Sequence, residues 1–192
     1  MRDIKHLFDK NNAQELKAVL VQAVKANKNI GSSTVVLAKF DTTRENFLKA
    51  TNLGDSGYLL LRPEADGTFT HLFRTKEQQF SFNFPYQCGT GADLPYAADD
   101  LEHEIQDNDI IIMASDGVFD NLYDIDLEDC VKPFVKDANL FDLMASANCI
   151  TTKSYKLGNT NGYLSPFAKN AKRDGVNYPA QGKADDIAVV VA

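Results

Sequence analysis

Apolar positions recur along this chain in two rhythms. Over residues 13–27 (AQELKAVLVQAVKAN), Leu16, Val19, Leu20, Ala23 and Val24 fall three or four apart, which predicts an amphipathic helix burying one face. Asn29-Ile30-Gly31 ends it. The runs STVVLAKFD, NFLKATNL and SGYLLLRP then predict three strands separated by short polar breaks. FTHLFRT predicts a fourth, joined to SGYLLLRP through the turn chemistry of EADG.

Residues 77–98 are aromatic and broken by Gly and Pro, and read as a long surface excursion. Within it Phe80, Phe82, Phe84 and Tyr86 alternate like one strand face and are expected in the core. LEHEIQ and NDIIIMAS predict two further strands. IDLEDCVKPFVKDA and NLFDLMASANCITTKSYKL predict helices, the first disrupted at Pro133. Residues 157–182 read as polar, glycine-rich and irregular, with residues 163–167 (YLSPF) plugging them onto the body. IAVVVA predicts a last, buried strand. Elements that are grouped rather than alternating argue for an α+β fold, helices packed on antiparallel sheet.

Composition narrows the function classes. A chain of 192 residues suits a single domain, 1–192, with a full core. Its 44% apolar and 24% charged residues are ordinary for a globular protein. The net charge of −7 argues against a nucleic-acid partner, which would need clustered Lys and Arg. No apolar run approaches the roughly 20 residues of a membrane span. MRDIKHLFDKNN resembles neither a secretory signal nor a transit peptide. Cys88, Cys130 and Cys149 are odd in number and lack metal-like spacing, so they read as buried thiols in a reducing compartment. His6, His71 and His103 share no ligand-like spacing. His71 alternates with apolar residues in a strand and reads as a half-buried structural residue.

The chemistry concentrates in aspartates at strand ends: NLGDSG (Asp55), MASDGVFDN (Asp116 and Asp120) and GKADDIAVV (Asp185 and Asp186). A carboxylate there is rigidly held yet can face a cleft, which suits Mg²⁺ or Mn²⁺, hard cations that take oxygen ligands. Gly117 permits a sharp turn at Asp116, and a helical turn would bring Asp120 to the same side. Each motif has an ordinary alternative: Asp116-Gly117 a plain turn, Asp120-Asn121 a helix cap, Asp55 an Asx-turn, Asp185-Asp186 a solvated loop end.

GSSTVVLAKFD, NLGDSGYLL, KEQQFSFNFPYQ, IIIMASDGVFDNL and SPFAKNAKRDGVNYPAQGKADDIAVVVA, in that order, resemble the metal-dependent type 2C (PPM) protein phosphatases, and most closely their compact, mitochondrial-type branch. The resemblance implies a sandwich of two antiparallel sheets flanked by helices and a two-metal Mg²⁺ or Mn²⁺ centre. It further implies hydrolysis of phosphoserine and phosphothreonine in a phosphoprotein substrate, and a mitochondrial location, otherwise a cytoplasmic one. On the family pattern Asp116 and Asp185 ligate the metals. Asp55 and Asp120 correspond to acids that hold a weaker third ion in some relatives. Gly117 and Asp186 are minor candidates.

The family pattern opens with an Asp-Gly-x-Gly-Gly-type strand that supplies a bridging ligand. No such motif precedes Gly31, and Asp3 and Asp9 lie in polar, helical-looking sequence. The expectation is therefore an N-terminally incomplete domain, its first strands missing, with a partial metal site. The alternative is an inactive phosphatase-like subunit that binds a protein partner.

Overall fold

The computed structural model describes residues 15–41, 43–92, 95–135 and 143–192. His6, Asp3, Asp9 and the first residues of the helices expected from 13 and from 139 lie outside them. The chain divides into two compact units, each built from two stretches: residues 1–56 with 76–107, and residues 57–75 with 108–192.

In the first unit, helix α1 (Leu16–Ala26) buries Leu16, Val19, Leu20 and Ala23, the spacing that its sequence announces. Strands β2 (Val35–Phe40), β3 (Phe47–Leu53) and β9 (Asp99–Glu104) form an antiparallel sheet in the order β2-β3-β9. Leu20 packs with Leu53, Cys88 and Ala98 in a small core. Lys49 of β3 faces Glu102 of β9 across the ladder, and Lys17 of α1 bridges to Asp100 at 3.1 Å. These two pairs set opposite charges against one another, one across the ladder and one between helix and sheet. Two short ribbons complete the unit: β1 (Ser32–Ser33) with β8 (Cys88–Gly89), and β6 (Gln79–Ser81) with β7 (Phe84–Pro85).

The aromatic run corrects one expectation. Phe80 and Phe84 are 57% and 59% exposed rather than core. The β6–β7 hairpin turns through Asn83, whose positive φ of 56° breaks the strand alternation. Phe80 then stacks on Phe84 and Tyr86, with ring centroids at 5.4 and 4.4 Å.

In the second unit, β4 (Gly57–Pro63), β5 (Phe69–Arg74), β10 (Ile110–Ala114) and β11 (Val189–Val191) form an antiparallel sheet in the order β11-β10-β4-β5. β4 and β5 are joined as the EADG turn predicts, with Gly67 at φ +81°. Helices α2 (Asp116–Phe119), α3 (Asp124–Val131), α4 (Leu143–Gly158) and α5 (Pro166–Arg173) complete it. Leu59, Leu61, Ile110 and Ile112 of the sheet close a core with Val118, Leu122, Leu127, Val131 and Ile150. Burying each such side chain contributes about 1.5–3 kcal/mol. The last strand is shorter than IAVVVA suggests.

Three further expectations change. Cys130 of α3 and Cys149 of α4 form a disulfide, with Cα atoms 5.5 Å apart, and only Cys88 is a free, buried thiol. Packing of α3 on α4 brings the pair together, which a separation of 19 residues does not announce. The stretch read as irregular contains α5, whose Ser165 accepts the Ala168 amide at 3.1 Å and which carries Pro166 at its first position. Phe167, at the plug, is buried as expected. His71 is an exposed residue, not a half-buried one, and pairs with Glu128 and Asp124 of α3. Pro133 does end α3, in a short 3₁₀ turn over Lys132–Phe134.

Candidate metal centre

β10 delivers its last residue, Ala114, at the end of a buried strand, and Ser115 turns the chain into the single helical turn α2. Ser115 also ties down the approach to β11. Its amide donates to Ala188 O at 3.0 Å, its hydroxyl to Asp186 O at 3.2 Å, and the Ala188 amide to its Oγ at 3.1 Å. Asp116 opens α2 and Asp120 follows one turn later, its amide bonded to Asp116 O at 2.8 Å. The two carboxylates thus share one side, as the DGVFD spacing predicts.

Gly117 is required for a reason that sequence reading does not supply. A Cβ there would lie 2.3 Å from Asp186 O, so only glycine lets residues 185–186 approach α2. Asp186 enters through this backbone contact, while its own side chain is exposed.

Asn121 does not cap a helix. Buried to 1% exposure, it donates from Nδ2 to Gly117 O at 3.0 Å and to Lys183 O at 2.7 Å. Its Oδ1 accepts the Lys183 amide at 2.8 Å. Both backbone groups of Lys183 are therefore fixed against α2 by one side chain. Tyr163 Oη donates to Asn121 O at 2.9 Å, and the Phe167 amide to Asp120 O at 3.0 Å, so α5 and its approach brace the same turn.

The Lys183 side chain is the functional residue that sequence reading missed. Its Nζ lies 2.8 Å from Asp116 Oδ2, 2.7 Å from Asp120 Oδ2 and 3.2 Å from Asp185 Oδ2. Burial alone would lower the Lys183 pKa. The Asp120 charge and the hydrogen bonds to Asp116 and Asp120 outweigh it and hold the ammonium above the usual lysine range. Three carboxylates facing one ammonium leave a formal excess of two negative charges.

Asp116, Asp120 and Asp185 are thus brought together in the second unit. Asp55 belongs to the first, in the turn after β3. Among the described residues no three acid, His or Cys side chains are arranged as a ready cage for a metal ion. The three carboxylates supply oxygen donors of the kind a hard cation takes, and the Lys183 ammonium lies against all three.

No protein-family model matches the chain. Individual proteins do. The human protein phosphatase PTC7 homolog is 36% identical over 172 residues, covering 85% of this chain and 54% of its own length. The X-ray structure of the photosystem II phosphatase PBCP matches with a TM-score of 0.85 and 23% identity, over 100% of this chain and 76% of that one. The chain belongs to the PPM protein phosphatase family, with PTC7 homologs among its relatives. It has the α+β fold of PPM phosphatases, antiparallel sheets flanked by helices. It spans about half the length of the curated relatives it first matches. A more distant PPM structure, the catalytic domain of the serine/threonine phosphatase PstP, was solved in complex with two manganese ions. It matches with a TM-score of 0.57 and 19% identity, over 81% of this chain and 71% of that one. The PPM relatives carry phosphatase names, and the inactive-subunit alternative finds no support in them. Among the described residues no helix is long and apolar enough to cross a membrane.

Proposed function

We propose that this chain serves metal-dependent hydrolysis of phosphoserine and phosphothreonine in protein substrates, with Asp116, Asp120 and Asp185 as carboxylates for Mg²⁺ or Mn²⁺. The observation that carries the reading is the convergence of these three side chains on a single cation within 3.2 Å. Asp55 belongs to the first unit, and a metal-binding role for it rests on the family resemblance alone. When bound, divalent cations supply Lewis-acid stabilisation of charge on a phosphoryl group.

The chain's own residues prepare that chemistry. The end of β10 fixes Asp116 on a rigid element, and Gly117 admits the Asp185-Asp186 loop against α2. Asn121 holds the Lys183 backbone in register with that turn. The excess negative charge attracts divalent cations and disfavours a bare phosphate group, so phosphoprotein binding depends on the metal.

The test is hydrolysis of a phosphopeptide with Mn²⁺, using an Asp116→Asn/Asp185→Asn double variant and a chelator as controls. Turnover by the parent that both controls abolish is expected. Turnover that survives in the double variant would sink this assignment of roles. On the family resemblance the protein works in mitochondria, and a tagged copy should co-fractionate with that organelle. A purely cytosolic distribution would count against it.

A further inference from the structure

A bound cation is already present in the acid cluster, and the chain itself provides it. The Lys183 side chain is only 17% exposed, and its Nζ lies within hydrogen-bond distance of Asp116 and Asp120. Its position is enforced from both ends. Asn121 pins the backbone amide and carbonyl of Lys183, 62 residues away in sequence, and the ammonium lies 5.0 Å from the centre of the Phe167 ring. Phe167 is itself 6% exposed, at the start of α5. The lysine therefore arrives with its backbone fixed, so little further ordering is needed to seat the ammonium between Asp116 and Asp120.

We infer that Lys183 is a tethered counter-cation that occupies the Asp116–Asp120 pair and must be displaced before a free divalent ion can use both carboxylates. The inference rests on the proposed reading of this cluster as a metal site and adds a competitor to it. A tethered cation competes at a fixed effective concentration, so it sets a threshold of free metal below which the pair remains closed. It also keeps the cluster folded when metal is scarce, because three converging carboxylates without a counter-charge repel one another. Asp185 is the more weakly held partner, its Oδ2 at 3.2 Å against 2.8 and 2.7 Å for the other two.

The experiment compares Mn²⁺ binding by the parent, Lys183→Met and Lys183→Arg, without substrate, by calorimetry and by the electron-spin resonance signal of free Mn²⁺. Thermal unfolding in chelator and in Mn²⁺ is followed in parallel. Lys183→Met keeps the apolar stem and removes the charge. It should bind one additional Mn²⁺ per chain, or bind Mn²⁺ roughly ten-fold more tightly. Its melting temperature should fall below the parent's in chelator and recover when Mn²⁺ is added. Lys183→Arg should stay close to the parent in metal binding. If Lys183→Met does not fold in chelator, Lys183→Gln refolded with Mn²⁺ serves the same comparison. Mn²⁺ binding equal in number and affinity in the parent and the neutral variants overturns the inference and leaves the metal-site reading standing. Absence of Mn²⁺ binding in every form overturns both.

Discussion

Two strands of this chain run into an aspartate, with different outcomes. β2 ends at Phe40 and is followed by Asp41, while β10 ends at Ala114, two residues before Asp116. Asp41 is satisfied largely within its own turn. Its Oδ1 accepts the Thr43 amide at 2.8 Å and the Thr43 hydroxyl at 2.6 Å, and its Oδ2 accepts Arg44 Nε at 3.0 Å. Asp66 repeats the device with Thr68, at 2.9 and 2.6 Å. Asp116 instead takes Lys183, 67 residues away, and shares it with Asp120 and Asp185. The residue two positions on separates the cases. Asp41 and Asp66 carry Thr there, whereas Asp116 has Val118, Asp55 has Gly57 and Asp185 has Ile187. Asp116, with no hydroxyl donor in its own turn, takes its partner from elsewhere in the fold.

The contrast can be stressed most severely at Asn121. Asn121→Ala removes three hydrogen bonds made by a buried side chain and leaves the Lys183 and Gly117 backbone groups without that partner. A stability loss of about 2–4 kcal/mol in urea unfolding is expected. Unchanged stability would mean that this clamp is dispensable. Gly117→Ala comes next. Its Cβ would meet Asp186 O at 2.3 Å, and the backbone of the 185–186 loop must yield. A cost of about 1–3 kcal/mol is expected, with weaker Mn²⁺ binding. An alanine variant that binds Mn²⁺ like the parent would show that close approach to be unimportant.

The smallest effect belongs to the local turn. The Thr43 hydroxyl, then the Thr43 amide, hold the Asp41 carboxyl well below the usual carboxylate range, against a smaller opposing contribution from burial. A depressed folded-state pKa contributes stability above the unfolded value of 3.8 that is lost as pH falls through the folded one. Thr43→Ala should therefore move the acid-unfolding midpoint upward and leave neutral-pH Mn²⁺ binding untouched. An acid transition identical to the parent's would contradict that account of Asp41.

Much of the framework is legible from local pattern. VVLAKF, GYLLLRP and IIIMA announce strands because their length and side chains match the ladders they form. EADG and Pro133 act within a few residues of themselves and are read correctly. Of what sequence reading lost, one part was local and the rest depends on distance. Helix α5 hides in a polar, glycine-rich stretch, although Ser165-Pro166 is a helix-start signal. Cys130 and Cys149 pair only because two helices pack together. Asp116 and Asp120 were readable as one side of a turn, whereas nothing local to Lys183, in GKADD, marks it before the fold carries it back to them. The acids were visible; their counter-ion was not.

The most direct test of the central claim is a Mn²⁺ titration of the parent beside Asp41→Asn and Asp116→Asn, followed by loss of the free-ion resonance signal. The two aspartates look alike at the ends of their strands, so the pair separates a turn acid from a cluster acid. Asp41→Asn should bind as the parent does, and Asp116→Asn at least roughly ten-fold more weakly. Equal Mn²⁺ binding by Asp116→Asn and the parent would contradict that claim.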